Sequence, residues 1–340
     1  MRDKDFVFIK KRADLLDTLG GLPEPVVKNE EWLYLFKEET RNSIMIEGYF
    51  VSEDDLEDVI TKNKAITRDT KEALNYYKAA KYFYSLAFES YKSKEFLFGH
   101  SVIRQIAKTV LDKPIGYRTG DIVIVGAKLN PPSGFLIKDW IDVYVEFVKN
   151  EFKNVWQTST FDLERFLDFL VRQHVLFESI HPFEDGNGRT GRIITNYLLI
   201  SIGLPPIIIK GKEKDRVIYI NALEKADKSL RILTKSPSFP EKESIFSRVQ
   251  ESDIAELSHL FKKALRESLD RIILSFFEKR GINLKSSKEV AKALGYSENS
   301  LRKLIERGYF LALKKGKTWF THELFDLRKE DYKTHFQTYL

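Results

Sequence analysis

Twelve residues, His181-Pro182-Phe183-Glu184-Asp185-Gly186-Asn187-Gly188-Arg189-Thr190-Gly191-Arg192, separate two segments whose apolar residues recur at helical spacing. Upstream, Phe166, Phe169, Leu170, Val175 and Leu176 predict a helix over 161–180. Downstream, Ile193, Ile194, Tyr197, Leu198 and Ile202 predict another over 192–204. Both read as buried, so the fold is built around a helix pair whose joint is a short loop dense in charge and glycine.

Each residue type in that loop has a use. Gly186 and Gly188 let the backbone approach a ligand and turn its N–H groups toward it, and the start of the second helix adds positive dipole, so an anion is expected there. Arg189 and Arg192 are three apart, can lean over one face and can grip further phosphates bidentately. Asp185 is a hard oxygen ligand suited to a phosphate-bound Mg²⁺. His181 stands at the loop entrance. An imidazole with an ordinary pKa of about 6.5 can take a proton from an attacking hydroxyl at neutral pH, a contribution of roughly 10²- to 10⁴-fold. Pro182 and Phe183 fix the entrance, the ring anchoring the loop in the core.

The stretch resembles the Fic family motif HPFx[DE]GNGRxxR and meets every specified position. The resemblance covers roughly residues 40 to 230 and implies a mainly α fold with a short β-hairpin flap. It also implies transfer of AMP from ATP to a Ser, Thr or Tyr hydroxyl of a target protein or of the chain itself. In this sequence the base would be His181 and the Mg²⁺ carboxylate Asp185. The nucleotide would be held by Phe183, Gly186, Asn187, Gly188, Arg189 and Arg192. Tyr219 stands where the family often has a tyrosine lining the nucleoside pocket, and Asp227 falls near a position where some relatives have asparagine.

Two upstream stretches belong to the same reading. Trp32, Leu33, Leu35, Phe36 and Ile44 predict a helix between Val26 and Met45, ended by Gly48. Ser43 and Glu47 share one face of it, and a carboxylate at a helix C-terminus, opposed by the dipole by about 0.3 to 1 kcal/mol, wants a cationic partner. Ser43-Ile44-Met45-Ile46-Glu47-Gly48 resembles the family's inhibitory motif [ST]xxxE[GN], which implies that Glu47 pairs with Arg192 and spoils the position of the ATP phosphates; in some relatives the same glutamate serves removal of AMP. The second stretch, Gly116-Tyr117-Arg118-Thr119-Gly120-Asp121 followed by Ile122-Val123-Ile124-Val125-Gly126, predicts a hairpin. In Fic proteins a hairpin flap at this distance pairs with the target backbone, which points to Ile122 or Val123 as the clamp.

Composition narrows the setting. No cysteine is present, so disulfides and thiolate metal sites are excluded, and six scattered histidines make no zinc pattern. The charged start, Met1-Arg2-Asp3-Lys4-Asp5, has no apolar signal core, and no run approaches the length of a membrane helix. A soluble, cytoplasmic protein without membrane contact is expected.

Along the chain we expect an N-terminal helical region over 1–95, whose first 25 or so residues form an irregular arm because of Gly20-Gly21 and Pro23-Glu24-Pro25. A catalytic core over 96–235 and a linker with a connecting helix over 236–280 follow. The linker is marked by a Ser, Pro and Lys cluster from Thr234 to Ser244, and the helix runs from about Asp253 to Arg280. His100 and His174 read as structural helix residues. Over 281–340, helices at Ser287–Gly295 and Ser297–Gly308, then strands Phe310–Leu313 and Thr318–Phe320, predict a winged helix-turn-helix. Such modules meet DNA or serve as docking or homodimer units. A reading from another class follows: a transcriptional regulator with the motif as its nucleotide sensor.

Overall fold

A computed structural model describes residues 4–157, 162–233 and 249–329, and the predicted Thr234–Ser244 linker lies outside them. The chain divides into two units, Glu24–Phe261 and Met1–Pro23 with Lys262–Leu340. It is mainly helical.

The larger unit contains α2 (Glu30–Ile46), α3 (Glu53–Lys62), α4 (Arg68–Ser93), α5 (His100–Leu111), α6 (Ile137–Gln157), α7 (Leu163–Ile180), α8 (Asn187–Ile200), α9 (Glu213–Ala226) and α10 (Leu230–Leu233). Helix α8 is its axis. Every residue of α8 but Gly188 is buried, and α2, α4, α5 and α7 pack around it. Its apolar residues, Ile193, Ile194, Tyr197, Leu198, Leu199 and Ile200, fill the core, and its buried Arg189, Arg192, Thr195 and Asn196 are accommodated by hydrogen-bond partners. The sequence expectation began this helix at Arg192; it begins at Asn187, because Gly186 adopts the left-handed conformation (φ 77°) that turns the chain directly into the first helical bond, Thr190 N to Gly186 O at 2.9 Å. Helix α6 had no counterpart in the sequence reading, which stopped at Pro131-Pro132. Its buried stripe, Ile137, Trp140, Ile141, Tyr144 and Val148, has clear helical spacing.

Helix α2 presents Glu39, Ser43 and Glu47 on one face. Asn29 caps its start by accepting from the Glu31 and Trp32 amides. Trp32, Leu35, Phe36 and Ile44 are buried, and the Phe36 ring stacks on Tyr84 of α4 at 5.9 Å.

The predicted hairpin over Gly116–Gly126 is not formed. No strand occurs among these residues, and the segment is an extended loop with one turn, Ala127 N to Ile124 O at 3.1 Å. The returning chain carries Pro131 and Pro132, which have no N–H to donate to a ladder. The loop is closed at its base by side chains instead. Arg118 donates to the carbonyls of Gly120 (2.8 Å) and Pro132 (2.7 Å), and Asp121 Oδ1 accepts from Ser133 Oγ (2.7 Å) and Gly134 N (2.8 Å).

In the second unit, the expected irregular arm is a helix, α1 (Lys4–Thr18). Phe6, Ile9, Leu15 and Leu16 bury one side of it. Arg12 hid the stripe by appearing to be a surface residue. It is fully buried, pairs with Asp270 at 2.7 Å and donates to the carbonyls of Gly308 and Phe310, so one guanidinium satisfies partners far away in sequence. Helix α11 (Glu251–Glu278) contributes to both units, and α12 (Ser287–Ala293) and α13 (Glu298–Glu306) follow. Strands β1 (Lys285–Ser286), β2 (Leu313–Lys315) and β3 (Thr318–Thr321) form an antiparallel sheet in the order β1-β3-β2. The first predicted strand is displaced, since Phe310 and Ala312 join the apolar cluster with Val290, Leu301 and Ile305 and leave Leu313–Lys315 to pair.

Candidate active site

His181 ends α7 in the left-handed conformation (φ 50°), its N–H donating to Phe177 O at 3.0 Å. Its ring Nδ1 lies 3.2 Å from the Glu178 carbonyl. A carbonyl only accepts, so Nδ1 carries the proton and Nε2 keeps a free lone pair. Burial pushes the imidazole pKa down to about 4, opposed by the Glu178 carbonyl and reinforced by the Arg118 cation. At neutral pH the ring is an uncharged base.

The loop behind it is held by its own side chains. Asn187 Oδ1 accepts from Phe183 N (2.9 Å) while its Nδ2 donates to Phe183 O (2.8 Å), and the buried Phe183 ring lies 5.5 Å from that of Tyr117. The Asn187 side chain therefore braces the loop, and Phe183 is its core anchor. Arg118, which the sequence reading passed over, ties this end of α7 to the exposed loop: it donates from Nε to His181 O (2.8 Å) and from Nη2 to Ile180 O (3.3 Å), and its amide donates to Pro182 O (2.9 Å). Nothing in the sequence distinguishes it from the other charged residues of that stretch.

The amides of Asn187, Gly188 and Arg189 open α8 ahead of its first internal bond and so have no helical carbonyl to donate to. A Cβ built on Gly188 would lie 2.7 Å from Glu47 Oε1 and 3.1 Å from Arg192 Nη1. The Glu47 carboxylate therefore lies against Gly188 at the start of α8. Arg192 donates from Nη2 to Glu47 Oε1 (2.7 Å) and to Ser43 O (3.1 Å), and from Nε to Ser43 Oγ (2.7 Å). Burial alone would lower the Arg192 pKa; the Glu47 carboxylate, together with Tyr219 and Tyr76, reverses this and raises it.

Arg189 is equally enclosed. Its guanidinium pairs with Glu72 of α4 and approaches Asp185 at 3.4 Å, with the Tyr49 ring 5.8 Å away. Asp185 itself is well exposed and accepts from Gly186 N at 2.6 Å. Among the described residues no three acidic or histidine side chains gather as a metal cage. One exposed carboxylate beside an anion cradle nevertheless fits Mg²⁺, which keeps waters and takes phosphate oxygens in preference to an all-protein cage.

Tyr219 is buried, and its hydroxyl meets His174 Nε2 at 2.8 Å, while His174 Nδ1 meets Thr195 Oγ1 at 2.9 Å. Both residues belong to the layer behind Arg192. Asp227 pairs with Arg231 at 2.7 Å. Ile122 is half-buried and Val123 is 78% exposed on the outer loop. His100 is held between Tyr117 Oη (3.0 Å) and Asp142 (2.7 Å).

Two buried carboxyls escaped the sequence reading. Glu178, three residues before His181, is pushed up to about 7 by burial, and its Oε1 has no hydrogen-bond partner. Glu39 is also pushed up to about 7 by burial, although Tyr76 and Asn196 donate to it. Glu39, Ser43, Arg192 and Asn196 line a small cavity of about 10 Å³ behind the site.

The Fic/DOC family model matches residues 141–199, from α6 through α8. A probable protein adenylyltransferase of Aquifex aeolicus (strain VF5) is 31% identical over 295 residues, 85% of this chain and 86% of that one. The protein adenylyltransferase Fic of Nematostella vectensis is 39% identical over 62 residues, 18% of this chain and 14% of its own. Among solved structures, a Fic domain containing signaling protein from Bacteroides thetaiotaomicron superposes with a TM-score of 0.63 at 20% identity, covering 80% of this chain and 97% of that one. Fic-1 from C. elegans gives 0.55 at 18% identity, over 81% of this chain and 73% of that one. These structures share the fold. With its helix pair, its loop and a relative matched along most of both lengths, the chain belongs to the Fic/DOC family.

Proposed function

We propose that this protein is an autoinhibited protein adenylyltransferase, which transfers AMP from ATP to a hydroxyl of a target protein or of itself. Its similarity to adenylyltransferases supports the chemistry, and one observation carries the inhibition: Glu47 lies against Gly188 with Arg192 as its partner. In the transfer, the target hydroxyl oxygen bonds to the α-phosphorus of ATP and the bond to the bridging oxygen breaks, releasing pyrophosphate. The hydroxyl proton goes to His181 Nε2. The α8 amides and Arg192 hold phosphate oxygens once Glu47 has withdrawn. Asp185 would hold Mg²⁺, which neutralises charge on the phosphates. The outer loop Asp121–Val125 offers unpaired backbone groups to which a target segment can add as a strand.

With Glu47 in place, ATP can bind only with its phosphates displaced. The same carboxylate, beside the cradle, is suited to orienting a water for removal of AMP from a modified target. No described helix is long and apolar enough to cross a membrane, and a cytoplasmic setting is part of this proposal.

The test is intact-mass measurement of chain and lysate proteins after incubation with ATP and Mg²⁺, for Glu47→Gly and for Glu47→Gly with His181→Ala. AMP-sized additions in the first and none in the second are expected. Equal labelling in both would remove His181 from the chemistry.

A further inference from the structure

The chain's positive charge is concentrated in one module. From Gly281 onward twelve Lys and Arg face seven Asp and Glu, which leaves +5 of the chain's net +6 in its last 60 residues. Most of the module's described carboxylates are engaged: Glu323 pairs with Lys285, Asp326 with Arg328, and Glu289 closes a capping box with Ser286. The opposite holds for its lysines. Lys292, Lys303, Lys314, Lys315 and Lys317 are exposed, and among the described residues none has a carboxylate partner.

Three of these lysines form one edge. Lys315 pairs with Thr318, so Gly316 and Lys317 make a two-residue turn with Gly316 at φ 62°. Trp319 packs against the cluster of Val290, Leu301 and Ile305 from α12 and α13, and Lys314 lies over its ring at 5.4 Å. The hairpin therefore presents lysines beside the helix pair. On α13, residues 298–300 and 302–303 are exposed, and Asn299 and Arg302 are side chains that pair bidentately with adenine and guanine edges. The Arg302–Glu306 ion pair, 2.9 Å long with both partners largely exposed, is of the kind that contributes little and yields to a stronger acceptor.

We propose that Gly281–Lys329 is a winged helix-turn-helix that binds double-stranded DNA, with α13 in the major groove and the wing lysines on backbone phosphates. Glu298 and Glu306 leave α13 itself without a positive excess, so the wing supplies most of the affinity. This inference does not rest on the AMP-transfer reading, since none of its residues belongs to the candidate active site.

The experiment uses the full chain and a fluorescent mixed-sequence duplex of about 30 base pairs, followed by anisotropy between about 50 and 200 mM KCl. Wild type should bind with an affinity that falls steeply with salt. The Lys314→Glu, Lys315→Glu, Lys317→Glu triple variant should bind at least tenfold more weakly at 100 mM, with a log–log salt slope shallower by about three. Its circular dichroism and AMP transfer should match wild type. Arg302→Ala should reduce the difference in affinity between duplexes of different sequence. Absence of binding at 50 mM, or a triple variant that binds like wild type, would overturn the proposal. Self-association lost in the triple variant, with no DNA binding in wild type, would likewise refute it and make the module a dimer unit.

Discussion

Arg192 Nη2 donates to Glu47 Oε1 at 2.7 Å, with the arginine side chain almost fully buried and the glutamate about one-third exposed. A charge-assisted contact of this kind contributes roughly 1.5 to 3 kcal/mol, which corresponds to about 10- to 150-fold in the population of the competent state. Glu47→Gly should therefore raise AMP transfer, self-modification included, by one to two orders of magnitude. The rate is read as AMP incorporation by mass. An unchanged rate, with folding and ATP binding preserved, would leave the inhibitory reading without support.

Ser43 touches the same guanidinium through both its hydroxyl and its carbonyl. The direct contact of the hydroxyl with Nε gives Ser43 its own part in holding the guanidinium. Ser43→Ala removes one hydrogen bond to a charged group and keeps the carbonyl contact, so a rise of about 3- to 10-fold is expected, below that of Glu47→Gly. A Ser43→Ala rate equal to or above that of Glu47→Gly would show that the helix position, and not the carboxylate, sets the block.

The parts legible in sequence were those fixed by local rules. The helix pair around the motif, the Ser43–Glu47 face and the short C-terminal helices follow from periodicity and capping, which act within one or two turns. Features that depend on distant partners were not legible. Arg12 needs Asp270, Arg189 needs Glu72, and Arg118 needs carbonyls around position 181, and no spacing rule links such residues. The hairpin failed for a related reason: a β-branched run pairs only if a suitable strand returns beside it, and here the return contains two prolines.

Arg118 is the residue whose removal should separate positioning from binding. Its guanidinium holds the His181 and Ile180 carbonyls and the base of the outer loop, while it touches none of the α8 amides. A displacement of about 1 Å at a reacting group costs on the order of 100-fold. In the Glu47→Gly background, Arg118→Ala should lower kcat by at least tenfold while ATP affinity by calorimetry changes less than about threefold. A parallel loss of ATP affinity would assign Arg118 to the nucleotide site.

Gly191 is held by a neighbour and not by its backbone angle. A Cβ there would lie 2.3 Å from Glu178 Oε1 and 3.0 Å from the Phe177 ring. Gly191→Ala should thus cost about 1 to 3 kcal/mol by overpacking, measured in urea. Glu178→Ala in the same chain opens that space and should return part of the loss. Additive destabilisation in the double variant would exclude the clash as the cause.

The acid side of the pH profile tests His181. A base must be unprotonated to accept the target proton, and burial lowers this imidazole from its ordinary value to about 4. Transfer by Glu47→Gly should stay level on this account from pH 8 to about 5 and fall with a midpoint near 4, where an ordinary histidine would give about 6.5. Loss of the Glu47 charge, which raises the His181 pKa, moves the midpoint further in the same direction. Stability has to be followed in parallel. The lowered pKa values of His181 and His174, the latter to about 3, give stability that is complete above about 6.5 and is lost as pH falls. Glu39 and Glu178, raised to about 7, act with the opposite sign: their contribution is complete below their ordinary carboxylate values and is lost as pH rises through 7. Glu178→Gln removes one of these alkaline terms, so a profile that keeps its acid midpoint in that variant assigns the limb to His181. Initial rates at saturating ATP, taken only where circular dichroism shows the native signal, give the midpoint. A value near 6.5 would mean that His181 is solvated in the working enzyme and that the closed geometry seen with Glu47 in place does not describe the active state.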